Sequence, residues 1–212
     1  MTHQSPLRQW HCGSITQREL SNIFELADIP GPWSLNQNKQ CLVSNTPDVF
    51  LKFFREQNPK ISFQVKLIGW FENELVQQEF YKITEGVDVI YSDNLPFESY
   101  CHSLSDISIF FDLRDVDAEN NLCLPIKIFT YTAIGRPMIY SPIQAIEQAH
   151  PNQDFIKLCK NEDFSLISKT VLEWTSSKDD FVELCQQSRN FAEKHQWLAI
   201  KEEFIRFVTT HE

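Results

Sequence analysis

Three places in this sequence combine residue types whose spacing could do chemistry. At the first, Gly13-Ser14 closes the run RQWHCGSI, and Thr16 to Glu19 reads as the capped start of a helix carrying Arg18 in its opening turn. A strand, a glycine turn and a helix N-terminus together aim backbone N–H groups and a helix dipole at whatever lies beyond them, which suits an anion. Any layered αβ fold also uses such a turn as plain connection, so alone it supports either reading. At the second place, Ser92-Asp93-Asn94-Leu95-Pro96 follows the apolar run VDVIY. A polar loop at the carboxyl end of a strand is where open α/β sheets place ligands. At the third, the charged loop RDVDAENN leads through Leu124-Pro125 into a helix with Lys127 in its first turn. Asp115, Asp117 and Glu119 in that loop raise a metal reading, but three carboxylates on a surface loop are more often simply solvated, and no metal is expected. His11, His102 and His195 stand isolated, without the partner a general base needs, so core or surface roles are expected of them.

The elements that must position these groups alternate. Apolar spacing predicts a strand over 8–15, a helix from Thr16 carrying Leu20, Ile23, Phe24 and Ala27, and a helix over 48–57 with Val49, Leu51, Phe53 and Phe54 as its buried stripe. SFQVKLIGW reads as a strand ending at Gly69, followed by a helix over 72–84, the strand 87–91, a short helix over 96–104 and a strand within 105–113. Ile126, Phe129 and Ala133 recur on one helical face, Gly135 is placed for a left-handed cap, and Met138-Ile139-Tyr140 between Pro137 and Pro142 suits a strand buried on both faces. A short strand over 155–160, a helix capped by Asp163 and one or two amphipathic helices over 178–208 complete the chain. The run Cys41-Leu42-Val43 is left without an element. Strands alternating with helices of this length predict an α/β fold, a doubly wound parallel sheet. Residues 1–8 form a loose tail and 9–212 one domain.

The pattern Leu124-Pro125-x-Lys127-x-Phe129-x-Tyr131-x-Ala133-x-Gly135-Arg136-Pro137 resembles the donor-site segment of retaining glycosyltransferases of the GT-B fold, group 1 or family 4, where it typically runs P-x-K-x-x-E-Y-x-A-x-G-[KR]-P. Thr130 stands where that family has a glutamate held to bind the donor ribose, and Leu122 occupies the register of its first carboxylate. The resemblance implies a single Rossmann-like GT-B half-domain, the donor-binding one. Gly13, Ser14 and Arg18 would then grip the diphosphate, Gly69 would lie beside the nucleotide, Asn94 and Leu95 would meet the base, Lys127 would join Arg18 at the diphosphate, and Thr130 would offer a shorter, uncharged hydroxyl to the ribose. Trp197 matches the tryptophan of the family's closing helix. The implied substrate is a UDP- or GDP-sugar, with no separate cofactor, used in glycan or surface-polysaccharide synthesis. The acceptor groups and the usual catalytic histidine belong to an N-terminal domain or partner subunit outside this chain, so no catalytic residue is assigned. The alternative is a degenerate, non-catalytic module that binds a partner through residues 30–46 or the terminal helix.

Composition narrows the classes. A formal charge of −10 over 212 residues, without clustered Lys or Arg, argues against a nucleic-acid binder. Six dispersed cysteines without C-x-x-C spacing read as small buried thiols of a reducing compartment, hence cytoplasm. No apolar run reaches the ~20 residues a membrane-spanning helix needs, so at most peripheral membrane association is expected.

Overall fold

The computed structural model describes residues 39–209 apart from 45–47 and positions 70, 72, 94, 115, 123 and 151. The strand and helix expected over 8–27 lie outside these residues. Among the described residues six strands form one parallel sheet: β1 (Lys39–Ser44), β2 (Phe63–Ile68), β3 (Asp88–Ser92), β4 (Ile109–Asp112), β5 (Met138–Tyr140) and β6 (Ile156–Leu158), in the order β3-β2-β1-β4-β5-β6. The chain builds outward from β1 to β3, then returns to the other side of β1 and builds outward again. This is the doubly wound order, with its switch point between β1 and β4. The Cys41-Leu42-Val43 run that carried no assignment is the middle of β1, at the centre of the sheet.

The helices are α1 (Asp48–Gln57), α2 (Glu74–Ile83), α3 (Phe97–Leu104), α4 (Ala118–Asn121), α5 (Lys127–Ile134), α6 (Gln144–Ala149), α7 (Phe164–Trp174), α8 (Lys178–His195) and α9 (Trp197–Thr209). Strand pleating sends alternate side chains to opposite faces, and two cores result. Ile109 and Phe111 of β4 and Ile139 of β5 pack with Phe50, Leu51 and Phe54 of α1 and Ile167 and Val171 of α7. Phe110, Met138 and Tyr140 pack on the other face with Ile128 and Tyr131 of α5 and Phe191 of α8. The Phe110 and Tyr131 rings stack with centroids 4.0 Å apart.

Two helices bury other faces than those expected. In α1 the buried side chains are Phe50, Leu51 and Phe54, while Val49 is exposed. All six residues from Val49 to Phe54 are apolar except Lys52, so periodicity alone leaves the phase undetermined and tertiary packing sets it. Ile126, expected on the buried face of α5, is instead its N-cap residue and 50% exposed, while nearly the whole circumference of the helix is buried. The charged loop after β4 contains the short α4, whose N-terminus Asp117 caps by accepting from Asn120 N at 2.7 Å.

Gly135 takes φ 72° and ψ 49°, the left-handed cap, and its N–H donates to Thr132 O. Arg136 of the same motif turns away from the strand ends: its Nε donates to Ile107 O at 2.9 Å, and its own carbonyl accepts from Ser188 at 2.9 Å. It fastens α5 and β5 to α8. Asp163 caps α7 as expected, accepting from Leu166 N at 3.1 Å. Cys101 and Cys159 are buried and Cys185 half-buried, each a free thiol. Burial pushes the Cys159 thiol up to about 11, which keeps it an inert core group.

Candidate functional site

The carboxyl ends of β1 and β4 meet at the switch point, where Ser44 pairs with Asp112. Asp112 ends β4 and is fully buried. A buried carboxylate must be paired and hydrogen-bonded, and this one is. Arg114, two residues on, forks onto it, with Nε 3.1 Å from Oδ1 and Nη2 2.6 Å from Oδ2. Tyr140 at the end of β5 donates its hydroxyl to Oδ2 at 2.5 Å and accepts from Arg114 Nη2 at 2.9 Å. Lys127, in the first turn of α5, brings Nζ to 4.0 Å from the same Oδ2. Burial alone would raise the Asp112 carboxyl, but the charges of Lys127 and Arg114 and the hydrogen bonds from Arg114 and Tyr140 hold it below the ordinary carboxylate range. Burial and the Asp112 charge push the Tyr140 phenol well up, so it stays a neutral donor.

The neighbouring loop is clamped as well. Ser141, fully buried just after β5, accepts from Arg114 N at 2.7 Å and donates to Arg114 O at 2.6 Å. Both the backbone and the guanidinium of Arg114 are therefore fixed to the strand ends.

Of the site residues expected from sequence, Gly13, Ser14, Arg18 and Asn94 lie outside the described residues. Lys127 sits at the carboxyl rim and is 8% exposed, so it is no solvated residue on a polar helix face. Thr130 follows one turn later, 1% exposed, and its Oγ1 makes no hydrogen bond. Gly69 follows β2 with φ 141°, a backbone conformation that favours glycine, and its N–H donates to Ser92 O at 2.9 Å. The Tyr91 hydroxyl lies 2.8 Å from Gly69 O and 2.9 Å from Asp93 Oδ1, which ties the ends of β2 and β3 together. Leu95 is half-buried in the loop that follows. Because β1 lies between β2 and β4, Gly69 is two strands from Asp112, about 10 Å at the usual strand spacing. Lys127 thus stands at one part of the rim, with Thr130 one turn further along its helix, and Gly69 and Leu95 stand at another.

Asp112, Arg114, Tyr140 and Ser141 were not singled out from sequence. The signal available was positional: an Asp and an Arg closing one predicted strand and a Ser closing the next, at the ends where doubly wound sheets put ligands. His195 is not isolated as expected. Its ring lies 5.2 Å from that of His150 and 4.2 Å from that of Phe191, and its Nδ1 is 2.8 Å from Phe191 O. Burial, with the neighbouring His195, lowers the His150 pKa. Among the described residues no group of three or more His, Cys, Asp or Glu side chains could hold a metal ion, and no helix is long and apolar enough to cross a membrane.

No protein-family model matches the sequence, and neither does any curated protein. Solved structures do match in fold. HepE of Anabaena, in complex with UDP, superposes with a TM-score of 0.67 at 10% identity over 93% of this chain and 56% of its own. Sucrose-phosphate synthase from Thermosynechococcus elongatus gives 0.64 at 11% identity over 95% of this chain and 52% of its own. The C-terminal domain of a group 1 family glycosyl transferase from Francisella tularensis gives 0.57 at 10% identity over 86% of this chain, and there the match fills 93% of the neighbour. The chain therefore spans about half the length of the first two and nearly all of the third. Its fold is the Rossmann-like half-domain of GT-B glycosyltransferases. At about 10% identity that likeness is one of fold.

Proposed function

We propose that this chain is the nucleotide-sugar-binding half of a glycosyltransferase, taking the diphosphate of a UDP- or GDP-sugar at the carboxyl rim beside Asp112. The observation that carries the reading is the placement of Lys127: a buried cation at a helix start, within 4.0 Å of a strand-end carboxylate at the switch point of the sheet. Departure of a nucleoside diphosphate builds negative charge on its phosphate oxygens, and a cation already held in place stabilises that charge without reorganising. A structural neighbour that carries UDP supports the choice of ligand class. On this reading the nucleotide sugar is the substrate, no further cofactor takes part, and the acceptor and catalytic groups come from another domain or subunit. Synthesis of a glycan or surface polysaccharide is the role proposed for the complete enzyme, and the cytoplasm its compartment.

A second reading, a non-catalytic module descended from such a domain, rests on two features. The Thr130 hydroxyl stands without a hydrogen bond where the resembled family has its ribose-binding carboxylate. The loop facing the rim also exposes Leu122 by 76%, with Val116 and Ile126 about half exposed. Titration calorimetry with UDP and GDP separates the two. Binding that disappears in Lys127→Ala or Arg18→Ala supports the donor site, and binding of neither nucleotide supports the module.

A further inference from the structure

Arg114 has an unusual set of attachments for an arginine on a loop. Its Nε and Nη2 both serve Asp112, Nη2 also serves Tyr140, and its backbone N–H and C=O are both held by the Ser141 hydroxyl. The guanidinium carbon also lies 5.5 Å from the centre of the Tyr140 ring. The side chain keeps 17% of its surface open, against 0% for Asp112. Nη1 is the guanidinium nitrogen that makes no hydrogen bond to a described residue. A guanidinium carries five N–H donors in a rigid fork suited to phosphate, and here one edge of the fork anchors the group while the other is left to act. Arg114 Nη2 and Lys127 Nζ lie 2.6 and 4.0 Å from the same Asp112 oxygen, so the two cations flank one point at the carboxyl rim.

We propose that Arg114 is a phosphate-binding residue, donating from Nη1 to the diphosphate of the nucleotide beside Lys127, with Asp112, Tyr140 and Ser141 as the positioning residues that hold its fork. The proposal rests on the nucleotide-binding reading above and adds to it a cation the sequence pattern does not mark. The raised pKa of Arg114, where the Asp112 charge outweighs the effect of burial, keeps the group charged throughout. Holding the fork in advance matters because the side chain then gives up little rotamer freedom on binding.

The test titrates the full chain with UDP and with uridine, or with GDP and guanosine if those are the pair that bind, followed by NMR so that weak binding of the nucleoside is still read. In Arg114→Gln the affinity for the diphosphate falls about ten- to a hundredfold, the loss of one charge-assisted contact, while that for the nucleoside is unchanged. A variant that merely disturbs the fold weakens both alike, and that result overturns the proposal, as does undiminished diphosphate binding. If Arg114→Gln does not fold, Arg114→Lys takes its place, since it keeps a cation against Asp112 but lacks the fork. A smaller preference for diphosphate over nucleoside then supports the role, and an unchanged preference overturns it. Loss of binding in Lys127→Met but not in either Arg114 variant removes this inference alone. Absence of binding in the unaltered protein removes the nucleotide-binding reading with it.

Discussion

Every residue of the interior strands β4 and β5 is buried, whereas β3, at an edge of the sheet, has only exposed and half-buried positions and leaves Ile90 37% exposed. The charges follow the same division. On the β4 side Arg114 meets an Asp112 that is wholly enclosed, while on the β2 side Lys66 meets an Asp106 whose side chain is 37% exposed. A charge-bearing cluster can be held at fixed geometry only where its surroundings are close-packed, because a loose wall lets both water and alternative rotamers in. The better-packed half is also the one that carries the candidate anion site, which suggests that packing there serves positioning as well as stability.

The contrast can be broken most sharply in the cores. Phe110→Ala, which empties a fully enclosed site stacked on Tyr131, is expected to cost about 3–5 kcal/mol in urea unfolding, while Ile90→Ala on the edge strand costs less than about 1 kcal/mol. Equal costs would remove the distinction between the halves. Next come the ion pairs. Asp112→Asn leaves two cations facing a neutral amide in a dry setting and is expected to lose about 3 kcal/mol, whereas Asp106→Asn, on a pair open to solvent, loses at most about 1 kcal/mol.

Gly135→Ala is expected to cost about 1–2 kcal/mol, because φ of 72° strains a residue with a Cβ, and that Cβ would come within 3.4 Å of Cys185 O. Thermal unfolding of the variant reads this directly.

The smallest effect is in pH. The Asp112 carboxyl titrates lower in the folded protein than in the unfolded chain, so its contribution is intact above the unfolded value of about 4 and is lost as pH falls through the folded value. The His150 pKa is likewise lowered, so the folded state favours the neutral ring. Stability therefore begins to fall once pH drops below the unfolded value of about 6.5 and goes on falling to the lowered folded one. Melting temperatures should decline in two acid stages, with His150→Phe removing the upper stage and leaving the lower.

What could be read from the chain was mostly what is local. Gly135, Met138–Tyr140 and Asp163 announce a cap, a buried strand and a helix start by residue type alone, and each stands where expected. The strand alternation that gave the parallel sheet is of the same kind. The phase of α1 was not legible, since a run apolar on every side fits several faces and only its neighbours choose among them. The centre of the sheet was missed because β1 offers three apolar residues between polar ones, too short a run to separate from a loop. The Asp112 cluster joins residues 2 and 28 positions apart in the chain, and the His150–His195 contact joins two helix ends; neither has a local signature. Lys127 was legible through the motif that surrounds it, but the carboxylate that holds it was not.

The most direct test is a crystal structure of the full chain grown with saturating UDP or GDP. The diphosphate is expected at the carboxyl rim between β1 and β4, with a phosphate oxygen within hydrogen-bond reach of Lys127 Nζ. A nucleotide bound away from that rim, or a rim left empty at saturation, would contradict it.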